Sequence, residues 1–178
     1  MIRTKTPRSH LEWLRLRLLY RRAFPRSERK PFALIRRMQK DGRGEILYFY
    51  DERGFLGLGT TVSGGGIVLV DYFAVAKRRR GRGNGSAMLA QLMERYAERG
   101  MFLEIEIPYD DAPNAEERRR RKSFYLRAGL TPTDTRICLF GVDMELLTYK
   151  CTIAFDEYLD FYCKNIGEFA RSHIQSIE

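Results

Sequence analysis

Residues 80–86 read Arg80-Gly81-Arg82-Gly83-Asn84-Gly85-Ser86, between an apolar run (67–76) and a helical pattern of Met88, Leu89, Leu92, Met93 and Tyr96. Glycines let the chain turn tightly and bring backbone N–H groups close to a ligand. The free amides at the start of the following helix then point at an anion, aided by the helix dipole. Asn84 and Ser86 tolerate such a turn and can cap the helix. Residues 77–82 add five cations and no acid, so the chemistry implied is phosphate binding. A P-loop needs a Lys-Ser/Thr pair after its last glycine, which Ser86-Ala87 does not supply. A dinucleotide fold puts an acid about 20 residues further on, near Glu104 and Glu106, but Gly81, Gly83 and Gly85 are wrongly spaced for it.

Other residues could move protons. Asp71 lies in the 67–76 run and shares a face with Leu69 and Phe73 by strand alternation. Glu104 and Glu106 share a face of the strand 101–107. A carboxylate in a buried strand is costly unless paired or functional. These three therefore stand out as functional candidates, with an ion pair to an arginine of the leading helices as the alternative for each. Arg118-Arg119-Arg120-Arg121-Lys122 precedes Tyr125 on one helical segment; it is either an anion contact or a solvated face. His10 and His173 offer no metal spacing, and Cys138, Cys151 and Cys163 fit neither a zinc site nor a disulfide framework. No metal is expected.

The elements that must position these groups follow from periodicity. Leu11, Leu14, Leu18 and Leu19 mark a helix with Ser9 as N-cap and Pro25 as stop. A second helix follows Pro31 and ends near Gly42. Strands are predicted at 45–50, 55–62 and 67–76, a helix up to Gly100, and a strand at 101–107. A further helix spans 115–128 with Gly129 as its C′ residue, then strands at 137–140 and 144–148 and a closing helix over about 155–171. This order predicts a mixed α/β (α+β) fold in a single domain, 1–178.

The 178 residues carry 32 Lys or Arg against 23 Asp or Glu, a net charge of +9, and 44% hydrophobic residues exclude global disorder. The charge is concentrated: residues 1–43 hold 14 basic and 3 acidic residues, while residues 131–178 hold 4 basic and 8 acidic. No stretch reaches the roughly 18 apolar residues of a membrane span. The start of the chain lacks an apolar signal run, so a cytoplasmic protein without a membrane partner is expected.

Arg80, Gly83 and Gly85 also fit Arg/Gln-x-x-Gly-x-Gly/Ala, and Phe73-Ala74-Val75 precedes them. With Ser123-Phe124-Tyr125-Leu126-Arg127-Ala128-Gly129-Leu130, the chain resembles the GNAT superfamily of N-acetyltransferases over roughly residues 45–150. Four positions depart from that pattern: Lys77 for a common proline, Leu130 for an aromatic, Leu69 for a glutamate base, and Glu117-Arg118 where an asparagine is often found. The family's first strand has no counterpart in the pattern.

The resemblance implies a mostly antiparallel central sheet with a splayed strand pair, flanked by helices on both faces. It implies transfer of an acetyl group from acetyl-CoA to an amine by direct attack. Arg80, Gly81, Arg82, Gly83, Asn84, Gly85 and Ser86 would then hold the pyrophosphate, and the backbone of Phe73, Ala74 and Val75 the pantetheine. Tyr125 would be the general acid, with Asp71, Glu104 or Glu106 as base. The acidic 131–178 segment favours a cationic acceptor such as a polyamine, an aminoglycoside or a peptide amine; a homodimer stays open. Two rivals remain: a basic nucleic-acid- or ribosome-associated protein, and a non-catalytic CoA-binding regulator.

Overall fold

The structure, a computed structural model, describes residues 1–177, the Ser27 side chain excepted. The chain forms two compact units: Met1–Val62 with Val70–Leu92, and Ser63–Leu69 with Met93–Glu178.

In the first unit a strand precedes the first helix. β1 (Arg3–Lys5) pairs antiparallel with β2 (Gly44–Asp51), setting Arg3 opposite Tyr50 and Lys5 opposite Tyr48. Its three residues, two of them cationic, carry no readable alternation, which is why periodicity misses it. Lys5 reaches over the rings of Tyr48 and Tyr50, 5.5 and 4.9 Å from their centroids, and bridges Glu12 at 2.5 Å.

α1 (His10–Ala23) starts where Ser9 predicts. The Ser9 hydroxyl accepts the Glu12 N–H at 3.3 Å, and the Glu12 carboxylate accepts the Ser9 N–H at 3.0 Å. The Lys5 ammonium and the Arg8 and Ser9 amides hold the Glu12 carboxyl down at about 2. α2 (Phe32–Lys40) follows Pro31. Leu16, Leu19 and Tyr20 of α1 and Ile35 of α2 form one core with Ile46, Tyr48, Leu58, Tyr72 and Ala74. Leu16 is fully buried there, so Leu16→Ala should cost about 3 kcal/mol.

β3 (Gly54–Gly64) pairs antiparallel with β2, with a bulge at Phe49/Tyr50. β4 (Ile67–Val75) leads through a 3₁₀ turn, Lys77–Arg79, to α3 (Asn84–Arg95). A Cβ on Gly57 would lie 2.3 Å from the Ala74 carbonyl oxygen and 2.6 Å from Met88 Cε. Only glycine lets β3 lie there and admits α3. Since neighbouring Leu58 faces α1 and α2, helices cover both faces.

In the second unit β5 (Met101–Glu106) runs parallel to β4 at Val68–Met101 and Leu69–Phe102, and antiparallel to β7 (Val142–Tyr149) from Met101–Tyr149 to Glu106–Met144. α4 (Ala115–Arg127) ends at Gly129 with φ +98°, the C′ position expected. β6 (Thr131–Leu139) begins earlier than the apolar pattern shows, because its pairing with β7 is irregular between Pro132 and Arg136.

α5 (Phe155–Ile166) is shorter than the expected 155–171 helix. Gly167 takes φ +134°, and its N–H closes on the Cys163 carbonyl at 3.1 Å. A 3₁₀ turn, Glu168–His173, and β8 (Ile174–Ile177) on the edge of β6 follow. The apolar period continues past the stop because Ala170 is itself buried. Neighbouring strands run β1-β2-β3-β4-β5-β7-β6-β8, a mixed, mostly antiparallel sheet of eight.

Candidate active site

The turn between β4 and α3 is an array of unused donors. The first bond of α3 is Ala87 N–H to the Gly83 carbonyl at 3.0 Å. The amides of Asn84, Gly85 and Ser86 therefore have no acceptor within the helix. The amides of Gly81, Arg82 and Gly83 also find none among the described residues. Gly81 and Gly83 take φ +73° and +72°, and a Cβ at either would meet nothing within 4 Å. Backbone conformation, and not crowding, selects glycine at both positions.

The turn is braced from behind. Asn84 Nδ2 donates to the Arg79 carbonyl at 2.7 Å, Arg80 Nε donates to the Val75 carbonyl at 3.0 Å, and Arg79 pairs with Asp51. Asn84 thus ties the loop together, and Ser86 sits inside the first turn of α3 without capping it. Lys77, Arg78 and Arg82 are exposed and meet no carboxylate among the described residues. Six amides and four cations without a carboxylate partner, Arg80 among them, suit a pyrophosphate. Before this turn, Phe73 stacks edge-on against Phe49 at 6.5 Å, Ala74 is in the core, and Val75 is half-buried.

In the second unit α4 presents Ala115, Arg118, Arg121, Lys122 and Tyr125 at helical spacing. Arg118 and Arg121 bridge Glu106 at 2.7 and 3.0 Å, and Lys122 bridges Glu145 at 2.6 Å. Arg118 also donates to the Ile107 carbonyl at 2.9 Å. These ion pairs turn one face of a very polar helix inward, and Tyr125 is buried with it. Burial pushes the Tyr125 phenol up to about 12, against a small opposing pull from Arg121. No hydrogen bond engages that hydroxyl among the described residues. The phenol keeps its proton throughout the neutral range, as a proton donor must.

The three candidate bases part company. Asp71 pairs with Lys30 at 2.5 Å, both side chains largely buried. Its partner is thus a lysine of the connector between α1 and α2, where an arginine of the leading helices is the sequence expectation. Tyr20 and Tyr72 hold that connector: Tyr20 donates to the Lys30 carbonyl, and Tyr72 accepts the Lys30 N–H, at 2.9 Å each. Burial pushes both phenols up, Tyr20 to about 12. Glu106 is held by the two arginines. Glu104, on the same face of β5, accepts the hydroxyls of Tyr158 and Tyr162 on α5, both at 2.7 Å. The spacing of Tyr158 and Tyr162, four apart on one helix, is a signal that sequence reading leaves unused. Among the described residues no cluster of His, Cys, Asp or Glu could hold a metal, and no helix is long and apolar enough to cross a membrane.

A profile of the Acetyltransferase (GNAT) family matches residues 13–121, more than half of the chain. The chain belongs to that family, and is an acetyltransferase with acetyl-CoA as its co-substrate. Solved structures share the fold. A Bacteroides thetaiotaomicron protein ascribed to the GNAT family superposes with a TM-score of 0.77 at 20% identity, over 96% of this chain and 98% of that one. Spermidine N-acetyltransferase from Vibrio cholerae, in complex with CoA and spermine, gives 0.64 at 10% identity, over 83% and 94%. A GNAT family acetyltransferase from Elizabethkingia anophelis with acetyl-CoA bound gives 0.61 at 16% identity, over 85% and 97%. No curated protein matches by sequence.

Proposed function

We propose that this acetyltransferase transfers the acetyl group of acetyl-CoA to a primary amine by direct attack, with the β4–α3 turn holding the pyrophosphate. The observation that carries this is the run of six amides, Gly81 to Ser86, beside uncompensated cations. Arg80 serves the turn by bracing it from the Val75 carbonyl. The backbone of Phe73, Ala74 and Val75 runs into it and is assigned the pantetheine.

Tyr125 supplies the proton to the departing thiolate. The amine nitrogen forms the new C–N bond, the C–S bond breaks with its electron pair going to sulfur, and the nitrogen loses its extra proton to a base. Glu104 fits that last role best. The hydroxyls of Tyr158 and Tyr162 orient its carboxylate, while protonating Asp71 or Glu106 would break an ion pair to Lys30 or to Arg118 and Arg121. The acidic balance of 131–178 supports a cationic acceptor.

The test is a transfer screen with acetyl-CoA against polyamines, aminoglycosides and peptides with free N-terminal amines, reading thiol release and product mass. Amine-dependent release with an acetylated product is expected. Release that no amine accelerates would contradict the proposal.

A further inference from the structure

The outer face of α1 is not explained by the fold or by acetyl transfer. Leu11, Leu14 and Leu18 are 54%, 52% and 40% exposed, although Leu16, Leu19 and Tyr20 already supply the buried face. At about 100° per residue the three leucines fall within roughly 60° of one another, along the crest of the helix. Arg15 and Arg22 lie on one flank and Arg17 and Arg21 on the other. Glu12, the only acid in α1, is turned toward Lys5 and the helix start. Among the described residues Arg17, Arg21 and Arg22 meet no carboxylate, and Arg15 reaches only the Tyr48 hydroxyl at 3.1 Å. The cationic surface continues onto α2. Arg36 stacks on the Trp13 ring at 4.5 Å, beside a shallow hollow that Arg37 and Lys40 also line.

We propose that this face of α1 docks on an anionic lipid surface. A convex crest of leucines can sink to the headgroup–acyl boundary while arginines on both flanks reach lipid phosphates. The pattern fits other occupants less well. A second copy docking through the same face would set arginine against arginine. An RNA backbone would use the cations and leave the leucines in water.

Co-sedimentation of the full chain with vesicles tests this. Binding is expected to equimolar phosphatidylglycerol–phosphatidylcholine vesicles, weakening with salt, and not to phosphatidylcholine alone. Replacing Leu11, Leu14 and Leu18 together by Ser should lower the partition coefficient at least about tenfold, with circular dichroism and thermal melting unchanged. Should that variant melt, Arg17→Ser with Arg21→Ser should still lower it about tenfold. Arg127→Ser with Lys164→Ser, the same charge loss elsewhere, should leave it within about twofold. Three results would overturn the proposal: no binding by the unmodified chain, binding indifferent to the leucines in a folded variant, or equal losses from the two charge pairs. The last two would point to nucleic-acid-like or net-charge attraction.

Discussion

Residues 77–82 and 118–122 carry five cations each and no acid, yet the fold uses them in opposite ways. On α4, four of the five meet carboxylates: Arg118 and Arg121 meet Glu106, Arg119 meets Asp110, and Lys122 meets Glu145. In the β4–α3 turn only Arg79 does, through Asp51, while the amides around the block stay without acceptors. A cationic run is read by what surrounds it. Acids on adjacent strands make one block a structural clamp, and idle backbone donors leave the other open to the anion proposed for it.

The largest expected effect breaks the turn. Gly83→Glu places bulk and like charge among the amides, and should weaken acetyl-CoA binding at least about a hundredfold in calorimetric titration. The strained φ should cost only about 1 kcal/mol of stability. Next is the residue that the other block carries inward. Tyr125→Phe should lower kcat about a hundredfold with acetyl-CoA affinity unchanged in the same titrations.

Glu106→Gln strips two arginines of their partner, and should cost about 2 kcal/mol in urea unfolding with no change in acetyl-CoA affinity. A loss of affinity instead would move the second block into the CoA site. Alkaline unfolding gives a signed effect. The folded Tyr125 phenol is raised from an ordinary 10 to about 12, so its neutral form contributes stability below pH 10. That contribution is lost as pH rises through about 12, and at most about 3 kcal/mol of the decline should vanish in Tyr125→Phe. The smallest contrast is electrostatic. Arg78→Ser with Arg82→Ser should raise the acetyl-CoA Kd about tenfold at low salt, and Arg119→Ser with Arg120→Ser should leave it within about twofold.

What was legible in the sequence was local. The Ser9 N-cap, the 67–76 run, the glycines of the turn and Gly129 act within a few residues, and each stands where its pattern places it. β1 and β8 were hidden because short edge strands have no period to show. The true end of α5 was hidden because an apolar pattern runs past Gly167. The turn itself was readable because its glycines and cations are nearly consecutive in the chain. The fates of the acids were not, because Lys30 reaches Asp71 across 41 positions, and Tyr158 and Tyr162 reach Glu104 across 54 and 58. Only folding brings those partners together.

The central claim is that the Gly81–Ser86 amides hold the CoA pyrophosphate. Backbone amide shifts followed by NMR during an acetyl-CoA titration test it most directly. Saturable, large displacements at residues 81–86, with residues 118–122 shifting far less, are the predicted result. Unmoved 81–86 amides at saturating acetyl-CoA, or the largest displacements at 118–122, would contradict it.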